Sequence, residues 1–112
     1  MSDVSMVFVT AGSEEEAMKI GRKLVEERLV ACVNLVPGIR SVYWWKDVIQ
    51  QEEEWWLIMK TKSALFGALQ ARIRQLHTYE VPEIVSIPID RGLPEYLQWV
   101  LQNTVDASSG QE

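Results

Sequence analysis

The chain has little that could cross-link it and little positive charge. Its 112 residues include one cysteine, Cys32, and one histidine, His77. A lone cysteine closes no internal disulfide, so the fold must rest on a packed core. One His and one Cys also cannot fill the four positions of a closed zinc site. Lys and Arg number 11 against 16 Asp and Glu, a net charge of −5. That balance repels phosphate backbones and anionic lipid, so neither nucleic acid nor membrane is expected as a partner. No apolar run approaches the roughly 18 residues of a membrane span. The opening MSDVSMVFVT carries an acid where a secretory leader has positive charge. These absences predict a cytoplasmic protein.

What is present is apolar and aromatic, with five tryptophans in one short chain. The stretch Leu29 to Trp45 reads as one long strand, broken once at Pro37-Gly38 and ending in Tyr43-Trp44-Trp45. Before it, Val4 to Thr10 reads as a strand. Ser13 to Glu16 has capping-box spacing, and Ala17, Ile20, Leu24 and Val25 recur at helical steps. A polar break at Lys46-Asp47 predicts a hairpin whose returning arm brings Trp55 and Trp56 opposite Tyr43, Trp44 and Trp45. Ser63 is the expected cap of a second helix striped by Leu65, Leu69, Ile73 and Leu76. Ile84 to Ile89 reads as a fourth strand, with Pro88 at an edge or strand end. A short helix follows from Glu95 to Asn103, with Trp99 expected in its core.

The order predicts an α+β, ferredoxin-like βαββαβ fold with a short C-terminal helix. Residues 1–104 are expected to form a single domain, and the polar stretch 105–112 a disordered tail. Both helices of that fold cover one sheet face, so the other should be polar. Instead Met6 to Val9 and Trp55 to Met59 are apolar at both parities. A second covering is required, and a self-associated oligomer with Tyr43, Trp44, Trp45, Trp55 and Trp56 at its interface is the expectation.

These segments resemble the CutA family of divalent-cation tolerance proteins. The resemblance rests on Val25-Glu26-Glu27-Arg28-Leu29-Val30-Ala31-Cys32-Val33-Asn34, on Pro37 to Trp45, on Ile58-Met59-Lys60-Thr61, on Leu76 to Ile84 and on Pro94 to Trp99. It implies a homotrimer of ferredoxin-like subunits involved in metal-ion tolerance, and copper or another divalent metal as ligand. Thr78 stands where the family usually has proline. Some members carry a histidine at the place of Leu76 and a copper-binding cysteine at the place of Val9.

The metal-ligand candidates are therefore His77, Cys32 and Glu83. Imidazole and thiolate suit copper-type ions, and a carboxylate can complete or orient such a site. Lys60, Tyr79 and Glu80 are expected to line an inter-subunit pocket beside them. The competing reading makes His77 a helix-end residue and Cys32 a small strand hydrophobe. A signalling or scaffold trimer binding a small molecule or protein partner in its clefts is the alternative function. No organic cofactor motif and no nucleophile–base pair stands out. Glu14, Glu15 and Glu16 occupy the one helix start that could hold an anion, so an enzyme is not expected.

Overall fold

The computed structural model describes residues 2–107. In chain order the elements are β1 (Val4–Ala11), α1 (Glu14–Glu26), β2 (Cys32–Trp45), β3 (Val48–Lys62), α2 (Phe66–Leu76), β4 (Ile84–Pro88) and α3 (Pro94–Gln102). The strands form one antiparallel sheet of order β2-β3-β1-β4. This is the split βαβ arrangement expected from the element order. β4 is an edge strand, which is where Pro88, lacking a ladder donor, is tolerated.

Helix α1 starts as its sequence dictates. The Ser13 hydroxyl accepts from the Glu16 amide at 3.1 Å, and three acids occupy the positive end of the helix. Ala17, Ile20, Gly21 and Leu24 are its buried face. They meet Val7, Val9, Leu57 and Met59 of the sheet and Leu69 and Ile73 of α2 in one core. Gly21 lets α1 approach β2 closely, since a Cβ there would lie 2.9 Å from Val33 Cγ1. Arg72 of α2 clasps Glu27 with three hydrogen bonds of 2.8–3.2 Å.

Alternation assigns each sheet residue to a face. Val7, Val9, Val33, Leu57 and Met59 point to the helices, so Met6, Phe8, Val36, Trp56, Ile58, Val85 and Ile87 point the other way. Helix α3 packs on part of the sheet, with Tyr96 Oη 3.6 Å from Cys32 Sγ. Phe8 and Trp56 stack at 5.2 Å on that second face, and Val85 and Ile87 are about half exposed. The sheet is apolar on both sides, as its sequence requires, and within one chain the second side is only partly covered.

Several local expectations change. The hairpin turns on two residues, with Trp45 opposite Val48, Trp44 opposite Ile49 and Tyr43 opposite Gln50. The expected facing of those aromatics with Trp55 and Trp56 is therefore absent. The turn is tighter than the polar stretch implied, so Trp55 and Trp56 lie seven and eight residues beyond Val48, opposite Ala11 and Thr10 of β1. Trp55 points to the helix face and packs on the core. Ser63 does not cap α2. Its hydroxyl joins Ser5 at 2.6 Å and donates to the Ser2 carbonyl at 2.9 Å, and a 3-10 turn precedes the helix. Trp99 is 41% exposed and stacks on Tyr96 rather than entering a core. The chain stays tied down past Thr104. The Val105 amide donates to the Arg28 carbonyl at 3.0 Å, and Lys62 Nζ donates to the carbonyls of Thr104 and Val105. Of the expected disordered tail, positions 108–112 lie outside the described residues.

Candidate functional site

The loop after α2 folds over the top of β1, and His77 is what holds it there. The ring is buried, Nε2 lies 2.7 Å from the Thr10 carbonyl, and Nδ1 lies 3.1 Å from the Tyr79 amide. A carbonyl only accepts and an amide only donates, so the geometry fixes the neutral tautomer with the proton on Nε2. Glu16 reaches across from α1 to the same loop. It accepts from the Thr78 amide at 2.9 Å, the Thr78 hydroxyl at 2.7 Å and the Gly12 amide at 3.3 Å. Burial alone raises the Glu16 carboxyl. The hydrogen bonds from Thr78 and Gly12 outweigh it and hold the group below the usual value.

Past His77, Tyr79 turns toward the hairpin arm and donates to Glu54 Oε2 at 2.6 Å. Burial, followed by this bond, pushes the Tyr79 phenol well above its ordinary range. The arm and the loop enclose a cleft of 760 Å³, lined on one side by Tyr43, Trp45, Gln50, Glu52 and Glu54. Its other wall is the run Tyr79 to Glu83. The Tyr43 hydroxyl donates to Glu52, which together with partial burial pushes that phenol up to about 12. Lys46 Nζ lies 3.8 Å from Glu80 and 5.5 Å from the centre of the Trp45 ring.

The candidate residues are thus divided between two places. Tyr79, Glu80 and Glu83 line the cleft, with Tyr43 and Trp45 opposite. Cys32 is elsewhere: it pairs with Lys60, four residues along β3 from the Trp56 that faces Thr10, so about 13 Å of strand separates it from His77. Its thiol contacts Tyr96, whose phenol is pushed up to about 12 by burial and then by that bond. Lys60 donates to Asn34 Oδ1 at 2.5 Å and lies about 20 Å along β3 from Glu54, so within one chain it is not part of the cleft. Among the described residues no three of His, Cys, Asp and Glu converge as a metal-binding group. Within one chain, His77, Cys32 and Glu83 do not fit a shared ion.

Glu16, Glu52 and Glu54 were not among the sequence candidates. The signal for the last two was the run Glu52-Glu53-Glu54 leading straight into Trp55, because acids are disfavoured inside strands. The capping-box spacing accounts for Glu16 within its own helix and gives no sign of its reach to Thr78.

Comparison with known proteins agrees with this architecture. The family described as CutA1 divalent ion tolerance protein matches residues 5–103. The divalent-cation tolerance protein CutA of Thermus thermophilus is 48% identical over 99 residues, which are 88% of this chain and 96% of that protein. A solved structure of the Thermus thermophilus protein superposes with a TM-score of 0.89 at 46% identity, covering 91% of this chain and 99% of the other. Human Protein CutA is 46% identical over 94% of this chain, which spans 59% of that longer protein. A structure described as the periplasmic divalent cation tolerance protein CutA from Archaeoglobus fulgidus has a TM-score of 0.86 at 39% identity, covering 89% of this chain and 97% of that one. Sequence match, strand order and superposition coincide over nearly the whole described chain, which belongs to the CutA1 divalent ion tolerance protein family.

Proposed function

We propose that the protein serves tolerance toward divalent metal ions by binding them, copper-type ions first, as a homotrimer and without catalysing a reaction. The observation that carries the assembly is the partly covered apolar sheet face, where Phe8 stacks on Trp56 and Val85 and Ile87 are about half exposed. Apolar area of that kind is covered by another copy or by a partner. The family description supports the metal part, as do the carboxylates of Glu80 and Glu83, both exposed on the cleft loop.

In this reading Glu83 and Glu80 supply oxygen ligands. His77 joins through Nδ1 only when the hydrogen bond from the Tyr79 amide opens, and Cys32 only from a neighbouring copy. Such a site is open and completed by water. The compartment we infer is the cytoplasm, where a half-buried free thiol such as Cys32 stays reduced. The second reading is a trimeric scaffold whose cleft binds a small molecule, and the cleft's size and aromatic wall favour it.

Copper titration calorimetry on the wild type, Glu83→Gln and His77→Ala tests the first reading. Saturable binding weakened by Glu83→Gln supports it, and no binding in the wild type ends it. Light scattering after size exclusion should report three chains, and a stable monomer would contradict the assembly.

A further inference from the structure

We infer that His77 is closed to divalent metal ions: its imidazole is committed to holding the loop, and metal chemistry in this chain does not run through it. The inference deepens the metal reading, on which it rests for the ion concerned. It says that the opening which that reading requires of His77 is not reached while the loop is docked.

Imidazole ligates a metal through the nitrogen that carries no proton, while the other nitrogen commonly donates to a carbonyl. His77 meets half of that description, with Nε2–H on the Thr10 carbonyl at 2.7 Å. The lone pair is then on Nδ1, and the Tyr79 amide already occupies it at 3.1 Å. The imidazole side chain has no exposed surface, and the Tyr79 ring lies 4.5 Å from it, tilted by 48°. An ion can reach Nδ1 only by displacing the Tyr79 backbone.

Glu16 does not open a way in. Its Oε2 lies 3.6 Å from Nδ1, short enough for one ion to bridge them at about 2.0–2.2 Å from each. Yet Oε2 accepts from the Thr78 amide at 2.9 Å and the Thr78 hydroxyl at 2.7 Å. Oε1 accepts from the Gly12 amide at 3.3 Å. On the other side, the Tyr79 hydroxyl ties the loop to Glu54 at 2.6 Å. Imidazole and carboxylate are thus both spent on the same loop, which is anchored to α1, β1 and the hairpin arm. Apparent affinity falls with the fraction of chains whose loop is open. Opening the Tyr79 amide bond and both Thr78 bonds puts that penalty on the order of a hundredfold.

The chain's single histidine makes the test direct, since every imidazole signal belongs to His77. Nitrogen-15 spectra of the untagged full chain, labelled at histidine, are recorded against zinc chloride, with calorimetry on the same samples. The wild-type Nδ1 signal should hold its position with zinc in excess. Combining Glu16→Ala with Tyr79→Phe cuts the loop's side-chain ties to α1 and to the arm. In that variant zinc should shift Nδ1 at the same concentration. A zinc-dependent Nδ1 shift in the wild type would overturn the inference, and this measurement carries the test if the variant does not fold. A silent Nδ1 in a folded variant whose loop amides exchange freely would overturn it too. Calorimetry separates the two readings. Zinc or copper binding with a silent imidazole leaves both standing, and binding with a shifted Nδ1 sinks this inference alone. No binding of either ion to the wild type sinks the metal reading alone, provided the opened variant still shows its shift.

Discussion

His77 donates from Nε2 to the carbonyl of Thr10 at 2.7 Å, joining the end of α2 to the end of β1. These two residues are 67 positions apart in sequence. With the Tyr79 amide on Nδ1, the ring is a bracket for the loop that forms one wall of the cleft.

His77→Ala should therefore destabilise the fold by about 1–3 kcal/mol, because it strands a buried carbonyl and removes an acceptor from the Tyr79 amide. Urea denaturation at fixed protein concentration measures this. Equal midpoints for variant and wild type would remove the bracket role. His77→Gln should recover part of the loss, since its amide can still donate toward Thr10.

Glu16 makes stability depend on pH. Its folded-state carboxyl lies below the ordinary value of 4.5. A depressed acid stabilises fully above its unfolded value, and that contribution is lost as pH falls through the folded one. Glu16→Gln should thus be less stable than wild type at neutral pH, and the gap should close once the pH has fallen below 4.5 and through the folded value. Parallel denaturation curves at pH 7 and pH 3 check this, and a gap that persists or widens in acid would contradict it. Thr78→Pro is a sharper variant, because it deletes both the amide and the hydroxyl that Glu16 accepts from.

The hairpin tip carries removable strain. Lys46 and Asp47 have φ of 49° and 65°, the signature of a type I′ turn that favours Asn-Gly. Asp47→Gly should stabilise the chain by about 1 kcal/mol, since the left-handed region costs L-residues roughly that much. Thermal melts of wild type and variant decide it. A lower melting temperature would mean that the Asp47 side chain contributes something beyond the turn.

The element order, the sheet's two apolar faces and the α1 cap were all legible, because each is written in local periodicity or in a short spacing. The register of the long hairpin was not. It depends on Lys46 and Asp47 both accepting positive φ, which their side chains do not advertise. That turn decides which residues lie across from one another, and it carried Trp55 to the core and Glu52 and Glu54 to the cleft. The loop was half legible. His77, Tyr79, Glu80 and Glu83 stood out as polar groups around Pro82, but their partners Thr10, Glu16 and Glu54 come from three other parts of the chain. Only the fold brings them together.

Gly21 sets how closely α1 lies on the sheet, and its replacement pits two effects against each other. Alanine gains about 0.8–1 kcal/mol of helix propensity over glycine. Its Cβ, however, would lie 2.9, 3.3 and 3.5 Å from three atoms of the Val33 side chain. Valine is stiff at χ1 and cannot swing aside cheaply, so the clash falls in the overpacking range of about 1–3 kcal/mol. Overpacking should win, leaving Gly21→Ala less stable by up to about 2 kcal/mol. The double variant Gly21→Ala, Val33→Ala removes the obstructing methyls and fills part of the space they leave. It should lose clearly less than the sum of the two single changes, with a coupling of about 1 kcal/mol or more, as expected for residues in contact. Additive losses would show that α1 simply shifts away from β2, and that the close approach at Gly21 is not required.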